Sequence, residues 1–237
     1  MNTYDVLINF ENDVEKIDNE WFKEILKSTY NGIILEDFMM PNQSSLNYYS
    51  DMKLILLNDE FKRIYNHYCS WCIVTNGWIS ILADMLKGKK CIEIMAGSGL
   101  LSYALKKYNV NITAYDNYSW NHPKYFTDVI SMNADEASSE LSYDYIICSW
   151  PPYEEKDILN VLKNMYYKHP KSKLIYIGEW YGGCCACNEF FEMTNHIHFG
   201  KDTKYIKQAN IKFRSFYDIY DRIYLLEPNS NVEKYFK

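Results

Sequence analysis

Several features that would assign a chain to a broad class are absent from this sequence. No window approaches the ~20 apolar residues that a membrane-spanning helix requires. Residues 1–5 do not open a basic segment followed by a long apolar one, as a secretory signal would. We therefore expect a cytoplasmic protein with no membrane partner. Repeats, linkers and low-complexity tracts are also absent.

A strong positive charge is absent as well. The net charge is −6 at pH 7, and the longest basic run is Lys87-Gly88-Lys89-Lys90. The sequence therefore lacks the electrostatic footprint typical of proteins that bind duplex nucleic acid. Nucleic acid stays an open alternative as a partner, without support from the charge pattern.

The cysteines do not indicate a disulfide framework. Their number, seven, is odd, and without a secretory signal they are most simply reduced thiols. Cys69-Ser70-Trp71-Cys72 has the spacing of a zinc half-site, but Cys184-Cys185-Ala186-Cys187 has the wrong internal spacing for its partner. We predict ordinary thiols and no metal.

The composition, 48% hydrophobic and 24% charged over 237 residues, is typical of a soluble α/β domain with an extension. Apolar residues recur at helical spacing over residues 13–30, and again over 61–72 after turn-rich residues 41–47. We therefore predict a helical N-terminal extension or cap over residues 1–74 and one domain over residues 75–237.

The most informative stretch is residues 90–105. Its apolar run ends in Glu93-Ile94-Met95-Ala96-Gly97-Ser98-Gly99 and continues into a second apolar segment, a pattern that predicts a buried parallel strand, a glycine turn and the start of a helix. Glycines let the backbone approach a ligand, and unpaired N–H groups at the helix start favour a cofactor.

An acid follows at the end of the second predicted strand. Asp116 lies about twenty residues after the glycine turn, the spacing at which a carboxylate binds the hydroxyls of a ribose. A turn or capping aspartate in Asp116-Asn117 is the alternative. After a short third strand, Asp135 is positioned to bind an adenine amine, or is a solvated loop acid.

The fourth predicted strand runs into Ser149-Trp150-Pro151-Pro152-Tyr153. The two prolines fix the turn and present Trp150 and Tyr153 as an aromatic pocket at the carboxyl edge of the sheet. The fifth strand ends at Glu179. A helix over residues 154–167 separates these strands, and residues 211–216 and 222–227 predict a terminal hairpin.

Taken in order, these motifs resemble the class I S-adenosylmethionine-dependent methyltransferases over roughly residues 75 to 230. The resemblance implies a Rossmann-like α/β fold: a seven-stranded, mainly parallel sheet with an antiparallel last strand and helices on both faces. It implies S-adenosylmethionine as cofactor, bound by Glu93, Ala96, Gly97, Gly99, Asp116, Asn117, Asn133, Asp135, Ser149 and Trp150. Tyr153, Glu179 and Trp150 would serve the methyl acceptor, Glu179 by orienting it or taking its proton, with His122 as a weaker candidate.

Two residues depart from the family pattern. Met95 replaces the usual first glycine of the turn, and Trp150 stands where DNA amine methylases carry Asp, Asn or Ser before the prolines. We therefore predict a methyltransferase that acts on a small molecule or a protein. The alternatives are a nucleic-acid amine methyltransferase, an NAD-dependent dehydrogenase, which shares the turn and the ribose acid, and an inactive methyltransferase-fold binding module.

Overall fold

A layer of helices precedes the sheet. The computed structural model describes residues 3–37, 52–153 and 155–237. The first helices are α1 (Thr3–Glu15), α2 (Glu20–Tyr30), α3 (Met52–Tyr68) and α4 (Asn76–Leu86). The predicted turn at 41–47 and the predicted helix start at residue 154 lie outside the described residues.

The helix predicted over residues 13–30 is wrong in one respect, because the chain breaks there into α1 and α2. Asn19 precedes α2 with an extended backbone, and its side-chain oxygen accepts a hydrogen bond from the Phe22 N–H at 3.1 Å. Such a cap satisfies a donor that the helix itself leaves unpaired. Val14 and Ile17, on either side of the end of α1, are both buried, so the apolar spacing continues through the break.

Seven strands form one sheet. They are β1 (Lys90–Ile94), β2 (Asn111–Asp116), β3 (Val129–Ser131), β4 (Tyr145–Ser149), β5 (Lys173–Gly178), β6 (Thr194–His196) and β7 (Arg222–Pro228). Their order is β3-β2-β1-β4-β5-β7-β6. Strands β1 to β5 pair in parallel, whereas β7 is antiparallel to both β5 and β6. The predicted Rossmann-like, mainly parallel fold is confirmed.

Helices cover both faces of the sheet. The later helices are α5 (Leu100–Lys107), α6 (Ala134–Glu140), α7 (Asp157–Lys168), α8 (Asn188–Glu192), α9 (Lys201–Lys212) and α10 (Asn231–Tyr235). One core lies between the sheet and α1 to α5 with α9, and includes Trp78 and Ile147. The other lies against α6 to α8 and α10, and includes Ile146 and Phe190. Burial on both faces explains the continuous apolar runs of the strands.

The N-terminal helices and the sheet share the first of these cores, which contains buried residues from both sides of the predicted division at residue 74. The division itself stays a prediction. Within the described ranges, no helix combines the length and the apolar character that crossing a membrane would take.

The predicted hairpin of residues 211–216 and 222–227 is wrong. Strand β7 pairs with β5 and β6 instead, and α9 extends to Lys212. The ring of Phe213 lies 5.3 Å from that of Trp78. The aromatic residues after α9 therefore pack on the helical layer, where apolar side chains are buried without strand pairing.

Candidate functional site

The strand order reverses between β1 and β4, because β2 and β3 lie beyond β1 while β5 lies beyond β4. In open α/β sheets, ligands bind at the carboxyl ends of the strands at such a switch point. A cavity of about 370 Å³ lies there, within the size range of small-molecule sites.

The cavity is lined by the ends of β1, β2 and β4 and the turns that leave them, together with residues after α3, in α5, after β5 and before or within α7. The described lining consists of Ser70, Trp71, Glu93, Met95, Ala96, Gly97, Ser98, Leu101, Asp116, Asn117, Ser119, Trp120, His122, Ser149, Trp150, Pro151, Pro152, Tyr153, Glu155, Asp157 and Cys184.

Asp116 joins the glycine turn to the end of β2. Its Oδ2 accepts a hydrogen bond from the Gly97 N–H at 2.9 Å, and its Oδ1 accepts one from the Tyr118 N–H at 2.7 Å. The Ala96 N–H also donates to the Tyr115 carbonyl at 3.1 Å. A carboxylate has about four acceptor positions, so Asp116 retains the capacity to bind ligand hydroxyls.

Glu93 is a buried carboxyl in the cavity wall, with 2% of its surface exposed. Its Oε2 accepts a hydrogen bond from the Ser102 N–H at 2.9 Å. Burial raises the pKa of Glu93 to about 7, against the lowering effect of the hydrogen bonds with Ser102, and the nearby Asp116 carboxylate raises it further. Desolvation dominates because it disfavours the charged form.

The start of α5 has fewer unpaired N–H groups than the sequence predicts. The Leu100 N–H donates to Ser98 Oγ at 3.3 Å, and the Ser102 N–H donates to Glu93. Helix N-termini bind phosphates through such N–H groups. Here a carboxyl and a hydroxyl already accept from this first turn, which disfavours a phosphate at the same place.

The two glycines of the turn are required by close packing as well as by their backbone. Gly97 has φ +54°, and a Cβ there would lie 2.7 Å from Nε2 of His122. Gly99 has φ +71°, and a Cβ there would lie 2.9 Å from Cγ2 of Val129. His122 itself lines the cavity, and burial lowers its pKa, which favours a neutral imidazole at pH 7.

Met95 and Trp150, the first residues after β1 and β4, share an unusual backbone. Their φ angles are +52° and +54°. This left-handed conformation suits glycine and, less well, Asn or Asp, and costs other residues on the order of 1 kcal/mol or more. The two departures from the family pattern therefore lie where the chain adopts a glycine-like backbone with a bulky side chain.

Trp150 is fixed by three contacts. Its backbone N–H donates to the Ile177 carbonyl at 2.8 Å, and its Nε1–H donates to Asp221 Oδ2 at 3.0 Å. Its ring stacks on Trp71 with centroids 6.0 Å apart. Asp221 is 3% exposed, and burial raises its pKa to about 6, opposed by hydrogen bonds to Ser215 and Trp150.

Trp71 links Trp150 to a third tryptophan. Its ring centroid lies 5.5 Å from that of Trp120 in an edge-to-face arrangement. Trp71 and Trp120 are 36% and 52% exposed, so their rings are accessible from the cavity that they line. We call Trp71, Trp120 and Trp150 the tryptophan wall. Trp71 and Trp120, with His122, also border a second cavity of about 550 Å³.

Most of the predicted site residues converge on the first cavity. They are Glu93, Ala96, Gly97, Asp116, Asn117, Ser149, Trp150 and Tyr153. Gly99, Asn133, Asp135 and Glu179 are outside its described lining. Asn133 is the N-cap of α6, and Asp135 lies in the first turn of that helix.

Glu179 has a structural role in the loop after β5. It is 8% exposed. Its Oε2 accepts a hydrogen bond from the Cys184 N–H at 2.9 Å, and its Oε1 accepts one from the Tyr220 N–H at 3.0 Å. Since Cys184 lines the cavity, these hydrogen bonds hold in place a loop that borders the cavity.

Several lining residues were not among the predicted site residues. They are Ser70, Trp71, Ser98, Leu101, Ser119, Trp120, Glu155, Asp157 and Cys184. Trp71 lies within the first cysteine pair and Trp120 in the loop after β2. The contact between these two tryptophans depends on the packing of α3 against the sheet. No local sequence pattern predicts that packing.

The strand order and the antiparallel seventh strand are those expected of a class I S-adenosylmethionine-dependent methyltransferase, so the resemblance is confirmed for the fold. No family model matches the sequence, and no curated protein sequence matches it.

Solved structures with a similar fold have low identity to this chain. TehB from Haemophilus influenzae is 12% identical, with 73% of this chain and 67% of that chain covered and a TM-score of 0.38. Human N-acetylserotonin methyltransferase, in complex with S-adenosylmethionine, is 10% identical, with 88% and 67% covered and a TM-score of 0.37.

The tRNA (uracil-54, C5)-methyltransferase of Pyrococcus abyssi, in complex with S-adenosylhomocysteine, is 14% identical. The match covers 62% of this chain and only 36% of that one, with a TM-score of 0.35. At these scores the likenesses assign neither an activity nor a substrate to this chain.

Proposed function

We propose that the protein transfers a methyl group from S-adenosylmethionine to an acceptor bound in the switch-point cavity. The observation that carries the proposal is the convergence of the glycine turn after β1, Asp116 at the end of β2 and Trp150 after β4 on one cavity. Asp116 lies 19 residues after Gly97 in the chain and Trp150 lies 53 residues after it, yet all three line the same cavity.

The donor set of the cavity fits this cofactor. Asp116 offers free acceptor positions to ribose hydroxyls. Asp116 supplies negative charge beside the glycine turn, and Glu93, with a pKa of about 7, supplies a buried, partly protonated carboxyl. This arrangement suits the ammonium and sulfonium groups of the donor. When bound, the donor supplies an electrophilic methyl carbon, to which an acceptor lone pair bonds as the carbon–sulfur bond breaks.

The same residues argue against the dehydrogenase alternative. A dinucleotide places its pyrophosphate at the start of the helix after the glycine turn. At that place Ser102 N–H is bound by Glu93, and Leu100 N–H by Ser98. A pyrophosphate would face the Glu93 carboxyl at close range, at a cost that rises with burial.

The residues after β4 form the acceptor side in this proposal. Trp150 and Tyr153 would provide apolar walls that exclude water, and Ser149 a hydroxyl at the strand end. Positioning of the two reactants would supply most of the rate. Glu179 would act by holding the loop of Cys184, and His122, neutral at pH 7, is the proposed acceptor of any proton that the acceptor loses.

Calorimetry with S-adenosylmethionine, S-adenosylhomocysteine and NAD tests the proposal. We expect both adenosyl compounds to bind with one-to-one stoichiometry and NAD to bind at least tenfold more weakly. Binding of NAD without either adenosyl compound would contradict the proposal. Release of S-adenosylhomocysteine during incubation with acceptor mixtures then distinguishes an enzyme from an inactive binding module.

A further inference from the structure

The tryptophan wall and the charges of the cavity restrict the acceptor. Trp71 stacks on Trp150 and meets Trp120 edge to face, and all of these rings border the cavity. Aromatic faces attract cations through the ring quadrupole, most strongly for tryptophan. Three tryptophans around one small cavity therefore form a surface that favours a positively charged ligand group.

The ionisable side chains of the cavity point to the same sign of ligand charge. Asp116, Glu155 and Asp157 are in its described lining, together with Glu93, whose pKa of about 7 leaves it partly protonated at pH 7. No lysine or arginine is in that lining. His122 is the one basic group of that lining, and its lowered pKa favours the neutral form. A cleft lined by charge of one sign concentrates ligands of the opposite sign.

The lysine and arginine that border the second cavity do not alter this balance. Lys62 and Arg63 border the second cavity, beyond Trp71 and Trp120. Lys62 lies 3.8 Å from Asp59, and Arg63 donates two hydrogen bonds to the carboxylate of Glu60. Both cations are thus paired with carboxylates near their own cavity.

Building on the proposed methyl transfer, we propose that the acceptor is a small molecule with a cationic group, held against the tryptophan wall. A carboxylate or phosphate in its place would be desolvated beside Asp116, Glu155 and Asp157 without a cation to compensate. This selects against nucleotides as acceptors, since each nucleotide carries a phosphate.

Calorimetry on protein saturated with S-adenosylhomocysteine tests the inference, because the donor site is then filled. The probes are tryptamine and indole-3-propionate, which share the indole ring and carry opposite charges. We expect tryptamine to bind at least tenfold more tightly. Glu155→Gln should reduce the difference in affinity between tryptamine and indole-3-propionate, because it removes one carboxylate. The glutamine retains an acceptor for the backbone N–H groups that Glu155 binds.

Variants of the wall separate the ring effect from the charge effect. Trp120→Leu should weaken tryptamine binding about 3- to 30-fold, the range of one cation–π contact. Trp21→Leu is the matched control, because Trp21 is similarly exposed, at 39%, but lies on α2 outside the described lining. It should leave binding unchanged.

The possible results separate this inference from the proposed function. Failure of S-adenosylhomocysteine to bind contradicts the proposed function, on which the inference rests. If S-adenosylhomocysteine binds but tryptamine binds no better than indole-3-propionate, the inference is overturned and the donor site stands. Equal affinities for tryptamine in the Trp120→Leu variant and the wild type overturn the role of the wall.

Discussion

The ends of β1 and β4 lie side by side with the same left-handed backbone, but different contacts hold them. After β1, Met95 is followed by a turn that Asp116 ties to β2 through the Gly97 N–H. After β4, Trp150 is held by its own side chain, through Asp221 and the stacked ring of Trp71. The first end is thus polar and carries carboxylates, whereas the second is aromatic.

This difference corresponds to two tasks within one cavity. Carboxylate and backbone groups at the β1 end match the hydroxyls and charges of a nucleoside donor. Rings at the β4 end exclude water and present faces to an acceptor. If the comparison is right, removal of the Asp116 carboxylate beside the β1 end should change donor binding, and removal of the Trp150 indole at the β4 end should change stability and acceptor binding.

The largest expected effect concerns the β1 end. Asp116→Ala should weaken binding of S-adenosylhomocysteine about 10- to 100-fold, through loss of about 1.5 to 3 kcal/mol of charged hydrogen bonds. Calorimetry measures the affinity. The affinity of Asp116→Asn, which keeps one acceptor oxygen, should lie between those of the wild type and the alanine variant. Unchanged affinity in the alanine variant, with an unchanged melting temperature, would remove Asp116 from the donor site.

At the β4 end, Trp150→Phe should lower the free energy of unfolding by about 1 to 3 kcal/mol, because it leaves Asp221 Oδ2 buried without its donor. Urea unfolding measures this loss. Asp221→Asn in the same background should recover part of it, since a neutral amide is cheaper to bury than a carboxylate. An equal loss in the double variant would assign the effect to ring packing instead.

Glu93 should make the protein less stable as the pH rises. Its folded-state pKa is about 7 against an ordinary value of 4.5, so the folded protein binds the proton more tightly. The free energy of unfolding therefore falls between pH 4.5 and 7 by an amount on the order of 1 to 3 kcal/mol. Glu93→Gln removes this contribution while keeping an acceptor for Ser102.

Urea unfolding of both proteins at pH 5 and pH 8 checks that prediction. Burial lowers the pKa values of His67, His122 and His196, so these groups stabilise the folded state as the pH rises. They are present in both proteins, and the difference between the two pH profiles isolates Glu93. Parallel profiles would contradict the raised pKa.

The smallest expected effect concerns the left-handed backbone of Met95. Met95→Gly should be more stable to urea than Met95→Ala by about 1 kcal/mol, because only glycine adopts φ +52° without strain. Comparing the two variants removes the effect of losing the methionine side chain, which both share. A more stable alanine variant would show that φ at this position is not strained.

Much of this architecture is readable from local sequence. The apolar run before Glu93, the turn at Gly97 and the acid at Asp116 predicted the strand ends that meet at the switch point, because buried parallel strands and glycine turns have local signatures. The proline pair after Trp150 likewise marked the end of β4.

Long-range packing accounts for what the sequence did not predict. The tryptophan wall joins Trp71, Trp120 and Trp150 from separate parts of the chain, and no spacing rule relates them. Residues around Phe213 read as a strand because alternating apolar residues are typical of strands, whereas in the structure they pack on helices. Glu179 accepts hydrogen bonds from two backbone N–H groups, and its role toward the acceptor stays a prediction.

A crystal structure with S-adenosylhomocysteine tests the central claim most directly. We predict the ligand in the switch-point cavity, with its ribose hydroxyls within hydrogen-bond distance of Asp116 and its amino-acid end beside the Gly97 turn. We predict that its sulfur points toward Trp150. A ligand bound outside this cavity, or within it with no contact to Asp116, would contradict the account.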